Sequence, residues 1–211
     1  MTVIRQDDFI DSVADALQFI SYYHPVDFVK AVHEAYLREQ NPAAKDAMAQ
    51  ILINSRMCAE GHRPICQDTG IVTVFLKIGM NVQWDATLTV TDMVNEGVRR
   101  AYNNPDNVLR ASILEDPAGA RRNTKDNTPA VIHMEVVAGD TVDVQIAAKG
   151  GGSENKSKLV MLNPSDSIVD WVVKTVPTMG AGWCPPGMLG IGIGGTAEKA
   201  AVLAKESLMD P

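Results

Sequence analysis

The chain lacks any apolar run near the ~18 residues that a membrane-spanning helix requires. Its start, MTVIRQDDFID, carries acids early and has no apolar signal-peptide region, so the expectation is a cytoplasmic protein without a membrane partner. A basic surplus is missing too: 19 Lys and Arg face 26 Asp and Glu, a net charge of −7. Phosphate backbones are bound through basic surface, so a nucleic-acid partner is not expected, although a local basic pocket remains compatible with this balance. Aromatics are 5% of residues, too few for base-stacking platforms. Cysteine is scarce and odd in number, three in all. In a reducing compartment these are thiols, not a disulfide framework, and no close cysteine pair exists to build a zinc ribbon. No internal repeat or low-complexity linker is visible.

What is present is ordinary for a globular protein: 45% hydrophobic and 21% charged residues over a length of 211, enough to bury a sizeable core. The first third reads as helices. Phe9, Ile10, Val13, Ala16, Leu17 and Ile20 recur at helical spacing over about 7–22. Pro25 opens a second helix through about Gln40. Asn41 and Pro42 read as the cap and first turn of a third, with Ala44, Met48, Ile51, Leu52 and Ser55 on one face and a stop at Gly61. IVTVFLKI, residues 71–78, is a short β-branched run and predicts a buried strand. Thr91 reads as the cap of a further helix that turns Val94, Val98, Ala101 and Tyr102 inward. Residues 103–129 read as a long loop, which in a compact domain is often functional. AVIHMEVV and TVDVQIAA, joined by Ala138-Gly139-Asp140, read as a β-hairpin. Pro164 and Ser165 open a helix to about Val176, CPPGMLGIGIGGT reads as loop and strand, and Thr196 caps a last helix to about Leu208. The fold class is α/β (mixed α+β): a helical N-terminal segment, then a mixed sheet with flanking helices. The whole of 1–211 reads as one domain, with an ending directly behind a helix that suggests a piece of something longer.

The chemistry concentrates in a few stretches. RPICQDTGIV places Cys66, Gln67, Asp68, Thr69 and Gly70 together at the mouth of a strand. A free cysteine is frequently a small buried hydrophobe, but Pro64 and Gly70 around Cys66 also suit a metal or cluster ligand. Cys184 sits in GAGWCPPG, where two prolines stiffen the backbone, and proline after a ligand cysteine recurs in iron–sulfur sites. Cys58 lies seven residues after Ile51 on the apolar face of the third helix and reads as core. KGGGSENKS lets backbone approach an anion at its glycines and adds Ser153, Asn155 and Lys156; a flexible hairpin connection is the plainer reading, but a tight turn rarely needs three glycines, so anion binding is weighed above it. Arg110, Arg121 and Arg122 lie in the long loop, where any one suits a carboxylate but loop arginines are usually solvated. His133, within an alternating strand, faces solvent or a neighbour and carries little catalytic weight. GIGIGG fits a dinucleotide-binding pattern through Gly190, Gly192 and Gly195, but only 16 residues follow, so it reads as close packing or the approach of a small ligand.

With PICQDTG, AAKGGGSENKS and GWCPPG in this order, the chain resembles the class I, iron–sulfur-dependent fumarase family, whose close relatives include the two-subunit L-tartrate dehydratases. The likeness runs over nearly the whole chain. It implies a [4Fe–4S] cluster held by three cysteines, with a fourth iron open to substrate. Cys66 and Cys184 match two ligand positions, and Gln67 and Asp68 match substrate-contacting positions. Arg110 is placed like the carboxylate-binding arginine. Gly150 and the run Ser153–Lys158, with Asn155 and Lys156, match the substrate loop. The third cluster cysteine belongs to a part of the family pattern beyond Pro211. The resemblance therefore implies an N-terminal catalytic part that is inactive alone and completed by a C-terminal half or a partner subunit, in a homodimer. The implied reaction is reversible hydration of a small dicarboxylate, fumarate to L-malate as in the tricarboxylic acid cycle, with Asp68 handling a proton. A tartrate-type dehydratase subunit and a non-catalytic iron–sulfur or metal-binding assembly domain are the alternatives.

Overall fold

The structure, a computed structural model, describes residues 2–210. In chain order β1 (Val3–Arg5), α1 (Gln6–Tyr22), α2 (Val26–Arg38) and α3 (Pro42–Gly61) precede β2 (Ile71–Gly79), β3 (Gln83–Asp85) and α4 (Val90–Tyr102). Then come β4 (Leu114–Glu115), β5 (Arg122–Asn123), β6 (Val131–Val137) and β7 (Val142–Lys149), followed by α5 (Gly151–Glu154), α6 (Ile168–Thr175) and α7 (Ala197–Glu206). The chain divides into two compact units, the first ending at Lys149 and the second beginning at Gly150. The class is the expected one, helices first and sheet after. No helix among the described residues is long and apolar enough to cross a membrane.

In the first unit β2 is the organising strand. Val72, Thr73, Val74, Phe75 and Leu76 are all buried, on both faces of the strand. Such a strand belongs in the middle of a sheet. Accordingly β6 pairs with it in parallel and β7 antiparallel, in the order β6-β2-β7. This corrects the hairpin expectation. The alternating runs are strands, but β2 lies between them, and their connection crosses its end, with Gly79 N–H on Thr141 O and Met80 N–H on Val137 O, both at 2.9 Å. Periodicity describes a strand's faces and says nothing of its neighbour.

One face of the sheet is covered by α1 and α4. Phe9, Ile10, Val13 and Leu17 meet Met93, Val94, Val98, Ala101 and Tyr102 over Val72, Val74 and Leu76. Each large side chain so buried contributes about 1.5–3 kcal/mol. The helix starts follow capping chemistry: Asn41 Oδ1 accepts from the amides of Ala43 (3.0 Å) and Ala44 (3.3 Å), with Pro42 in the first turn. The cap of α4 is Thr89, not Thr91; its hydroxyl accepts from Asp92 N–H at 3.1 Å. The long loop also holds more order than expected, since β4 and β5 form a small antiparallel pair within it.

In the second unit α6 starts after Ser167, which accepts from Asp170 N–H at 3.2 Å, three residues later than the Pro164-Ser165 expectation. The expected strand after Cys184 is irregular chain. Gly190 and Gly192 lie directly on the backbone of α7, so these two glycines of GIGIGG serve close packing.

Candidate functional site

The turn that carries Cys66 is fastened before it begins. Ile65 donates its N–H to Ser21 O at 2.8 Å and accepts on its carbonyl from Asn54 Nδ2 at 2.9 Å, binding it to α1 and α3. Cys58 is 6% exposed, and its thiol lies 3.6 Å from both Asn54 Oδ1 and Pro64 O, so it is core as its helical spacing indicates. Cys66 is exposed. Its sulfur contacts Gln67 Oε1 at 3.3 Å and receives Asp68 N–H at 3.5 Å. Asp68 Oδ1 in turn accepts Gly70 N–H at 3.2 Å. Gly70 has φ +86°, and a Cβ there would stand 2.6 Å from the Ala148 carbonyl carbon. Glycine is therefore required to let the turn run into the sheet. Gly70→Ala is expected to lose about 1–3 kcal/mol from φ alone, before the clash is counted, measurable by denaturant unfolding of the purified chain.

Arg110 is drawn to this turn. The Thr69 hydroxyl donates to Arg110 O at 2.8 Å. Leu109, beside it, is 4% exposed and anchors the segment, while the Arg110 side chain points to solvent. The other two loop arginines are engaged locally: Arg121 Nε donates to Pro117 O at 3.1 Å, and Arg122 pairs with Glu115 at 3.3 Å. Two further side chains hold the turn's carbonyls. Tyr102 Oη donates to Thr69 O at 2.7 Å, and Asn127 Nδ2 to Gly70 O at 3.0 Å. Burial pushes the Tyr102 hydroxyl up to about 12; hydrogen bonding to Thr69 opposes this, and the Asp68 carboxylate adds to it. The phenol thus remains a donor at any ordinary pH. Helical spacing marks Tyr102 as core only, and no local pattern marks Asn127; its left-handed φ of 61° is the kind of backbone that asparagine tolerates.

The second unit gathers the other expected residues. Gly150 caps the single turn α5, and Ser153 Oγ donates to Gly150 O at 3.0 Å. Asn155 and Lys156 close that turn. A Cβ at Gly152 would be 2.8 Å from Gly182 O, and one at Gly182 would be 2.7 Å from Lys156 Cε. The two glycines therefore let KGGGSENK lie against the 3-10 turn Ala181–Trp183, which ends at Cys184. Cys184 is exposed, with φ 60° and its N–H on Ala181 O at 3.0 Å. Two motifs distant in sequence are thus neighbours within this unit. Lys205 Nζ bonds Glu154 Oε1 at 2.9 Å and joins α7 to the same turn. His133 stacks on Phe75 at 4.7 Å, facing a neighbouring strand as one of its two expected settings.

Among the described residues no group of three or more His, Cys, Asp or Glu is assembled to hold a metal ion. The donors available are two exposed thiols, each on a turn with a fixed backbone, and thiolates are the ligands that iron–sulfur clusters take. The Asp68 N–H directed at Cys66 Sγ is a hydrogen bond of the kind that cluster sulfurs receive. These residues fit part of a cluster site and leave the rest to other donors.

Residues 10–211 match the family described as fumarate hydratase (Fumerase). The putative L(+)-tartrate dehydratase subunit alpha of Methanocaldococcus jannaschii is 36% identical over 207 residues, covering 94% of this chain and 71% of that protein. The L(+)-tartrate dehydratase subunit alpha of Escherichia coli UTI89 is 26% identical over 202 residues, 94% of this chain and 66% of that protein. The same subunit from strain K12 is 25% identical over the same coverage.

Proposed function

This chain belongs to the fumarate hydratase (Fumerase) family, and from that membership we propose that it is the cluster-binding part of a hydro-lyase acting on a small dicarboxylic acid, with fumarate and L-malate as the pair it serves. The observation that carries the reading is the single fastened turn that exposes Cys66 and Gln67, sets the half-buried Asp68 directly after them and holds the Arg110 segment by Thr69. A ligand, an amide and a carboxylate fixed by one backbone, with an arginine on the segment tied to it, are the groups that such a reaction uses.

A [4Fe–4S] cluster with one iron free of protein ligands would supply Lewis acidity at the substrate hydroxyl. Cys66 and Cys184 would each give it one thiolate. The third would come from a C-terminal segment or a partner subunit, because Cys58 is buried beside Asn54 and Pro64. Arg110 would grip one carboxylate through its planar fork. Gln67 would hydrogen-bond the substrate, and Asp68 would hold the proton exchanged at the hydroxyl oxygen. Ser153, Asn155 and Lys156, with the Gly150 backbone, would bind and orient a carboxylate. In dehydration, a proton leaves the carbon next to one carboxylate, hydroxide leaves the adjacent carbon, and the electron pair becomes the C=C bond.

The relatives' names support a second reading within the same chemistry, the alpha subunit of an L(+)-tartrate dehydratase. Anaerobic reconstitution of the natural protein with its partner, followed by turnover of fumarate, L-malate and L-tartrate, separates the two. Fumarate formation from L-malate at the highest kcat/KM supports the first reading, and a preference for L-tartrate replaces it with the second. No turnover of any dicarboxylate at full cluster content would sink both. Residues 1–211 alone are expected to fold and to show no hydration of fumarate, since two exposed thiols fall short of the three the cluster needs. Robust turnover by the isolated chain would overturn that division of labour.

A further inference from the structure

The long loop after α4 is held to the Cys66 turn by a set of bonds whose centre is a completely buried side chain. Asn127 is 0% exposed. Its Nδ2 donates to Gly70 O at 3.0 Å, and its Oδ1 accepts from Ser112 N–H at 2.9 Å. One carboxamide therefore joins the residue that ends the Cys66 turn to the residue two beyond Arg110. Every residue of the segment 110–113 is fixed in a similar way. Arg110 O takes the Thr69 hydroxyl, Ala111 O takes Asn123 Nδ2 at 2.9 Å, and Ile113 O takes Thr124 N–H at 2.9 Å. The end of the loop is fixed in turn to α4, by Arg99 Nε on Asp126 Oδ2 at 3.0 Å, and Asp126 Oδ1 accepts the Thr128 hydroxyl at 2.7 Å.

A buried amide that uses both its ends is costly to leave half-satisfied and has one orientation only. It is therefore a spacer of defined length. The Arg110 side chain, by contrast, is long, exposed and without a hydrogen bond or ion pair of its own among the described residues. Where its guanidinium stands is decided by where its backbone is held.

We propose that Asn127 is a positioning residue: its carboxamide fixes the Arg110 segment against the Cys66–Gly70 turn and so sets the point from which the exposed Arg110 guanidinium reaches toward the Cys66 thiol and the Asp68 carboxylate. This rests on the hydro-lyase reading for its catalytic meaning, but the placement itself is testable without turnover. Asparagine at φ 61° is replaced with least strain by glycine, so Asn127→Gly removes both bonds and keeps the backbone. Thr69→Val removes the direct bond to Arg110 O and serves as a second variant.

The probe is the ratio of alkylation rates at Cys66 by iodoacetate, which carries a carboxylate, and by iodoacetamide, which is neutral, on the cluster-free chain with peptide-resolved mass spectrometry. A cation beside the thiol raises the ratio; a unit charge at short range through surface water changes it by about fivefold. Loosening of the fold alters both rates and leaves their ratio, and Cys184 in the second unit is the internal control. The expected result is that Arg110→Ala lowers the Cys66 ratio, that Asn127→Gly and Thr69→Val lower it to the same level, and that the Cys184 ratio stays put. Retention of the wild-type ratio in folded Asn127→Gly and Thr69→Val, or no change in Arg110→Ala, overturns the proposal. In the reconstituted enzyme, Asn127→Gly combined with Arg110→Ala should lose no more kcat/KM than Arg110→Ala alone, whereas additive losses would assign Asn127 to general stability. An enzyme that turns over no dicarboxylate refutes the hydro-lyase reading, and the alkylation ratio then still decides the placement.

Discussion

Replacing either exposed cysteine, as Cys66→Ser or Cys184→Ser, is expected to abolish the brown absorbance of the anaerobically reconstituted natural protein, while Cys58→Ser retains it. The contrast rests on where the sulfurs are. Cys66 and Cys184 are exposed on turns whose backbones are held by their own hydrogen bonds. Cys58 is buried on α3, with its thiol near Asn54 and the Pro64 carbonyl. A serine hydroxyl is a harder donor than a thiolate and a poor partner for iron–sulfur clusters. Cys58→Ser has a different cost, that of a buried hydroxyl in place of a thiol; two oxygen acceptors already lie within reach, so the loss belongs to stability and stays modest. Cluster content is read by absorbance and iron analysis, and fold by circular dichroism. A folded Cys58→Ser protein with no cluster, or a Cys66→Ser protein with a full one, would reverse the assignment.

The parts of this arrangement that were legible in the sequence are those set by short-range pattern. The period of α1, the cap Asn41-Pro42 and the inward face of α4 follow from neighbours three to four residues apart. Cys58 was separable from Cys66 and Cys184 for the same reason, since one sits on a helical stripe and two sit between prolines and glycines. The order of the sheet was not legible, because it depends on which strand has two buried faces, and β2 takes the middle place that its uniformly apolar run demands. Asn127 was beyond reach for a related reason. Its bond to Gly70 joins residues 57 apart, and nothing local marks one asparagine in a polar loop as buried. The meeting of KGGGSENK with GWCPPG was also hidden, since what permits it is the absence of a side chain at Gly152 and Gly182, and a sequence shows glycine without showing what approaches it.

Loss of the Arg110 guanidinium is the other large effect expected. Arg110→Ala should lower kcat/KM by roughly 10- to 150-fold, because a charge-assisted bond to a carboxylate contributes about 1.5–3 kcal/mol and each ~1.4 kcal/mol is tenfold. Lysine should restore little of it, as a point charge cannot reproduce two parallel N–H donors. Arg110 is suited to the task in this loop because its side chain is exposed while its backbone is fastened to Thr69. Arg122 is the fitting control: it already pairs with Glu115, and its side chain is 72% exposed, so its removal should change kcat/KM little. Arg121 serves less well, because its φ of 50° means that alanine there would strain the backbone as well as remove the charge. The measurement is steady-state kinetics on the reconstituted enzyme with each dicarboxylate, corrected for cluster content. Near-normal kcat/KM in Arg110→Ala at full occupancy, with a loss in Arg122→Ala, would move the carboxylate grip to the β4–β5 pair and leave the Thr69 bond as a fold contact only.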